Sequence, residues 1–195
     1  MKNPDTDKPC LQRLIQTRRS VRRFKPDPVP RDMLLKCVEA ARLAPSAENV
    51  QPWRFVIVDE PQLKDELAKK AFSGIYAATR WASKAPVLVV ILAELDILAN
   101  RLGKQITGLH YYLIDIGIGG EHFVLQAHEL GLGSCWIGWF SQKGVRKALN
   151  VPRKYKPVLM LAVGFPDVAK FKEKKRRTLE DICWFNGIHK PIKLD

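Results

Sequence analysis

Apolar and polar residues alternate along this chain with two distinct periods. Leu11, Leu14 and Ile15 recur at helical spacing and predict a short first helix over 7–16, which runs into Arg18-Arg19-Ser20. Met33, Leu34, Cys37, Val38 and Ala41 form one stripe of an amphipathic helix over 31–43, with Pro45 just beyond its end. Residues 53–58 are aromatic and β-branched and predict a strand, and Pro61 suits the first turn of the helix after it. Residues 87–93 are apolar without interruption, as in a strand buried on both faces. The stretch 95–107 gives no clear period. Over 108–130 a long apolar segment of helical period ends at Gly131, in the position of a C-cap. A tight Gly131-Leu132-Gly133 link then leads into a third strand over 134–140. Ser141 reads as the N-cap of a helix reaching about Leu149, and 158–164 is a fourth strand. The tail from Thr178 carries Leu179, Ile182, Trp184 and Phe185 and is too apolar to be left in solvent.

Helices thus alternate with strands, but the long helix is apolar nearly all round. A helix of that kind buries both faces, which in a chain of 195 residues points to a subunit interface. That length suits a single domain over 1–195, and no internal repeat or low-complexity linker divides it. With 46% hydrophobic and 27% charged residues the chain has material for a core and no bias toward disorder. The apolar run at 85–93 is far shorter than a membrane span, and the polar start is unlike a secretory signal, so the expected address is the cytoplasm. Cys10, Cys37, Cys135 and Cys183 have no metal-ligand spacing and read as reduced, mostly buried thiols.

The formal charge of +13 changes the picture, because it implies an anionic partner. The densest basic stretches, 18–25 and 170–177, lie far apart and would converge on one anion. Three segments could carry chemistry. In Arg18-Arg19-Ser20-Val21-Arg22-Arg23-Phe24, guanidinium forks beside a hydroxyl match phosphate oxygens, although a solvated basic face or a nucleic-acid contact would read alike. In the 44–53 loop, prolines would hold Ser46, Asn49 and Gln51 rigidly against the edge of a planar heterocycle; an ordinary capped connection is the plainer use. In 131–140, glycines would let a ring approach the backbone, although aromatics on a strand are more often core.

Taken together and in order, these segments resemble the FMN-dependent nitroreductases over nearly the whole chain. The resemblance rests on the early Arg-Arg-Ser-x-Arg with Phe24, Ala-Pro-Ser-x-x-Asn-x-Gln-Pro-Trp at 44–53 and Gly-Leu-Gly-Ser-Cys-Trp-Ile-Gly at 131–138. It also includes the 157–166 segment ending Val-Gly-Phe-Pro, and the Lys/Arg pair before Thr178-Leu179-Glu180-Asp181. It implies an α+β, three-layer fold with a mixed central sheet flanked by helices, and an intertwined homodimer with one FMN at each of two interface sites. Arg18, Arg19, Ser20 and Arg22 would hold the phosphate and pyrimidine edge of FMN, with Lys174 and Arg176 closing on the phosphate. Pro45, Ser46 and Asn49, with Gln51 in the same loop, would reach that flavin from the partner chain. Ile137 and Gly138 would lie along the isoalloxazine, a backbone N–H addressing N5, and Arg22 would stabilise charge on the reduced ring.

The implied activity is NADH- or NADPH-dependent reduction of nitroaromatic, quinone or related electron-poor small molecules by a ping-pong mechanism, with no protein nucleophile. Nucleic acid, membrane and metal are not expected partners. The alternatives are a specialised flavin enzyme of the same fold, a reductive dehalogenase or flavin-cleaving type, and a non-catalytic flavin- or nucleic-acid-binding protein. Trp139 departs from the pattern, since many relatives carry a second glycine there; its ring points either to the flavin wall or to the core. His122 and His128 read as interface or surface residues rather than bases.

Overall fold

Strand β2 (Val87–Glu94) fixes the layering, because its alternating side chains feed two separate cores. Val87, Val89, Ile91 and Ala93 face one core; Leu88, Val90 and Leu92 face the other, and all seven are at most 4% exposed. Each large aliphatic among them stabilises the fold by roughly 1.5–3 kcal/mol. No polar side chain can stand at these positions without losing its water on either face.

In the computed structural model, which describes residues 10–95, 109–168 and 174–188, β2 pairs with β1 (Trp53–Val58) and β4 (Tyr155–Gly164). Strand β3 (Gly133–Ile137) completes the order β1-β2-β4-β3, and all three ladders are antiparallel. A parallel pairing enters through an isolated bridge between Ser20 and Ser134. Helices α2 (Arg31–Arg42) and α4 (Tyr111–Glu129) cover one face, with α1 (Cys10–Thr17) leaning on α4. On the other face lie α3 (Pro61–Ala71), the 3-10 segment Gly74–Lys84 and α5 (Gln142–Leu149). The result is the expected three-layer arrangement of helices on both sides of a sheet.

Local chemistry sets the element ends. The Glu60 carboxylate accepts the Gln62 and Leu63 N–H groups in front of Pro61, and Ser141 Oγ accepts Gly144 N–H at 3.0 Å. Helix α4 stops at Gly131, whose φ of +79° lets Leu132 N–H return to the Ala127 carbonyl.

The sequence pattern for β3 runs to Phe140, whereas the strand ends at Ile137. Pairing with β4 stops at Ile137–Met160, next to the bulge where the β2–β4 ladder changes register between Leu159 and Pro157. Phe140 turns into the second core, while Gly138 and Trp139 are left exposed. The 3-10 segment Gly74–Lys84 gave no periodic signal, since its tight turns do not repeat as an α-helical stripe.

The long helix buries Ile116, Phe123, Val124 and Ala127, yet Leu113 and Ile114 remain 44% and 51% exposed. Glycines bring it close to the sheet: a Cβ on Gly119 would lie 3.3 Å from the Trp53 ring, and one on Gly120 would collide with Trp136. Leu179, Ile182, Trp184 and Phe185 are likewise exposed, so the described residues do not cover the tail. Cys37 and Cys135 are buried, Cys183 is half-buried and Cys10 is exposed; burial pushes the Cys37 thiol up to about 12. No helix among the described residues is long and apolar enough to cross a membrane.

At the contact of α3 with α5, a Cβ on Gly144 would sit 2.1 Å from the Lys70 carbonyl oxygen, a backbone atom that cannot swing aside. Gly144→Ala should therefore cost about 1–3 kcal/mol, read from the urea midpoint, despite the better helix propensity of alanine. An unchanged or raised midpoint would show that the two helices are not in this close contact.

Candidate functional site

Arginines at the end of α1 cannot escape one another, because Val21 is locked into the sheet by donating to the Ser134 carbonyl at 2.9 Å. Arg18 Nε lies 3.6 Å from Glu121 Oε1 on α4. Arg19 turns back, its Nη1 donating to the carbonyls of Gln16 and Arg18, while its buried Nε has no hydrogen-bond partner among the described residues. Lys174 arrives from the far end of the chain and donates to the Arg18 carbonyl at 3.2 Å. Burial, then the charges of Arg18, Arg176 and Arg19, hold the Lys174 ammonium below its ordinary range; Glu121 opposes them only weakly. Lys174 thus reaches Arg18 from the far basic stretch, whereas Arg176 is exposed, its Nη1 donating to the Lys175 carbonyl at 3.1 Å.

A cavity of about 120 Å³ opens among these groups, lined by Arg18, Arg19, His128 and the Gly131–Ser134 backbone. His128, read from the sequence as a surface or interface residue, is half-buried and lines this cavity. The Thr17 hydroxyl donates to the Arg13 carbonyl at 2.7 Å and so accepts from His128 Nε2–H at 2.8 Å. Near the end of a helix a histidine is normally easier to protonate. Here burial and then Arg18 and Arg19 push it the other way. A small cavity lined by two guanidinium groups, with the Lys174 ammonium on the Arg18 carbonyl and Glu121 as the opposing charge, fits a phosphate-sized anion.

The next residues continue along β3. Ser20 bridges Ser134 beside the Cys135 thiol, and the Arg22 guanidinium lies 5.7 Å over the Trp81 ring while also facing Cys135. Ile137 is buried at the strand end. Gly138 is exposed, and a Cβ there would meet only Leu159 Cδ2 at 3.9 Å, so a flat ring has room to approach the backbone. Trp139 settles on the open side, its Nε1–H donating to the Ile75 carbonyl at 2.9 Å. A larger cavity of about 400 Å³, lined by Asp65, Lys69, Phe72 and Arg80, contains none of the predicted site residues.

The 44–52 loop lies elsewhere in the chain. Glu48, Asn49 and Gln51 all hold left-handed φ values between 48° and 56°, a costly conformation for a side chain other than asparagine's. Ser46 Oγ accepts Gln51 N–H at 2.9 Å, and the Gln51 amide donates to Asn49 Oδ1 at 3.0 Å, so these groups first hold one another. Pro45 and Asn49 are exposed and Ser46 is half-buried. The loop is tied to α4 by Asp115, whose Oδ1 accepts Ala47 N–H at 3.0 Å; its buried Oδ2 has no described partner, and burial raises its carboxyl. Asp115 and His128 stand thirteen residues apart on one helix, about 20 Å at 1.5 Å per residue. One chain therefore does not bring the loop to the cationic cavity.

Sequence reasoning missed Asp115, His128, Tyr76 and Trp81. Only the isolated acidic residue in an apolar helix and the Arg-rich neighbourhood offered any signal. Among the described residues no group of histidine, cysteine and carboxylate side chains is arranged to hold a metal.

Comparison with known proteins follows the same segments. The model of the nitroreductase family matches residues 15–165. The chain is 32% identical to an NADH dehydrogenase of Thermus thermophilus, over 76% of this chain and 83% of that protein. It is 26% identical to an iodotyrosine deiodinase of Thermotoga neapolitana, over 87% and 95%. The solved structure of an FMN-dependent nitroreductase from Clostridium difficile superposes with a TM-score of 0.72 at 29% identity, covering 89% of this chain and 98% of that one.

The His128 geometry sets a pH dependence. Its folded-state value lies below the ordinary histidine value, so the unfolded chain takes up the proton first. The stability of neutral His128 is complete above about pH 6.5 and is lost as pH falls through the folded-state value. In His128→Gln, which keeps a donor for Thr17, the thermal midpoint should vary less between about pH 5 and 7 than in the parent. Identical pH profiles would exclude His128 as the titrating group.

Proposed function

The chain belongs to the nitroreductase family, and on that premise we propose that it is an NAD(P)H-dependent FMN oxidoreductase reducing nitroaromatic, quinone or related electron-poor acceptors. The observation that carries the reading is the 120 Å³ cavity lined by Arg18, Arg19 and residues 131–134, with Lys174 held beside it on the Arg18 carbonyl. A cavity of that size favours the terminal phosphate of a small ligand over a nucleic-acid strand, which is gripped along an extended surface. The FMN dependence of the Clostridium difficile relative and the nicotinamide-linked name of the Thermus relative support the same cofactors here.

In this reading Arg18, Arg19, Lys174 and Arg176 hold the phosphate, and Ser20 and Arg22 face the polar edge of the ring. FMN held by these residues would supply hydride and electron transfer between a nicotinamide and an acceptor. Arg22, held over the Trp81 ring at 5.7 Å, would supply fixed positive charge to a reduced flavin. Gly138 leaves the backbone open to the ring, with Ile137 packed beneath. Since one cleft serves donor and acceptor in turn, the kinetics are ping-pong.

The loop carrying Pro45, Ser46, Asn49 and Gln51 completes the site from a second copy. Its anchor stands about 20 Å along α4 from the cavity, and the exposed Leu113, Ile114, Leu179, Ile182 and Phe185 offer apolar surface for that copy to cover. The likeness to the deiodinase over nearly all of both chains supports a second reading, reductive removal of halide from an aromatic ring at the same site. Halide release during turnover separates the two.

Purified protein given FMN should turn yellow, run at the mass of two chains, bleach with NADH or NADPH without oxygen, and recolour on adding a quinone. Protein that stays colourless after FMN ends the reading. Arg22→Ala should slow the bleaching step about ten- to a hundredfold; an unchanged rate would move the stabilising charge to another residue.

A further inference from the structure

Trp139 is both exposed and held still. The residue is 54% exposed, yet two contacts hold its side chain and a third holds its main chain. The indole N–H donates to the Ile75 carbonyl at 2.9 Å, and the Trp139 carbonyl accepts from the Thr79 hydroxyl at 2.9 Å. The Tyr76 ring lies 5.2 Å away, tilted by 54°. An aromatic side chain normally contributes by burying on the order of 150–250 Å². Here much of that area faces water, and rotamer freedom has been given up as well. Both losses are offset once a flat partner covers the ring.

The position of the ring says which partner. Gly138, directly before it, is exposed, and a Cβ there would meet only the end of the Leu159 side chain at 3.9 Å, so a planar ligand has room to approach. The Tyr76 contact is tilted rather than stacked, and the indole remains largely exposed. Resting on the reading above, in which the flavin lies along Ile137 and Gly138, we propose that Trp139, braced by Tyr76 and the Ile75 carbonyl, is a side wall of the acceptor cleft. It selects planar aromatic acceptors by stacking and gives compact non-aromatic acceptors no comparable advantage. Its role is distinct from holding the cofactor, because the phosphate is gripped at the opposite end of β3, near Gly133.

The test uses FMN-loaded protein and the ratio of KM for 1,4-naphthoquinone to KM for ferricyanide. Trp139→Leu keeps apolar bulk but removes the ring, and should raise that ratio about three- to tenfold, the range of one aromatic contact. Trp139→Phe should stay within about twofold of the parent. Thr79→Val loosens the wall without touching the ring, and a smaller rise is expected. An unchanged ratio in Trp139→Leu, or both KM values rising together, overturns the wall. So does an unchanged ratio accompanied by dissociation into single chains, which would show that a second copy covers the ring. Failure of the parent to take up FMN instead removes the flavin reading itself, so the two failures are distinguishable.

Discussion

Burial of β2 on both faces is the constraint from which the rest follows. A strand with apolar side chains pointing both ways requires a helical layer above and below, and its neighbours must then alternate between the same two cores. Leu161 and Val163 of β4 serve one core while Met160 and Ala162 serve the other. No space remains at the centre of the sheet for polar chemistry. Functional groups are pushed to the strand ends, to the helix ends and into the connections, and every candidate site residue lies there.

The same frame explains how like charges come to be held together. Arg18 and Arg19 follow a helix that ends against α4, and the backbone of Val21 pins them to β3. Lys174 adds a third charge, and burial first, then repulsion from the neighbouring arginines, depresses its ammonium and the His128 imidazole. Such an arrangement opposes folding when it is empty of anion. A ligand that neutralises it stabilises the native state in proportion to its free concentration over its dissociation constant. Cofactor retention and fold stability are in this sense one quantity.

Periodic features were legible in the sequence. The unbroken apolar run at 87–93, the stripe from Met33 to Ala41, the Ser141 cap and the Gly131 stop all stand where the pattern placed them, because each depends on neighbours a few residues away. The convergence of Lys174 with Arg18 was legible only as a charge argument. What escaped depended on partners far along the chain. The end of β3 lies beside a bulge in the β2–β4 ladder, and the 3-10 turns that carry Tyr76 and Trp81 have no stripe of their own. His128 looked like any helix-surface histidine until α1 was laid against it. The apolar tail also marks a limit: its composition demands a cover that the described residues do not supply.

The distance along α4 between the Asp115 anchor and the His128 cavity has a genetic meaning. In the proposed two-fold dimer, each site draws its cations from one chain and its strained loop from the other. A subunit damaged at Arg19 spoils the site that its own cations form but still lends an intact loop to its neighbour. A subunit damaged in the loop has the complementary defect. Mixed in one cell, two inactive alleles of this kind would assemble heterodimers in which one of the two sites is whole, a pattern of intragenic complementation that a single-chain active site cannot give.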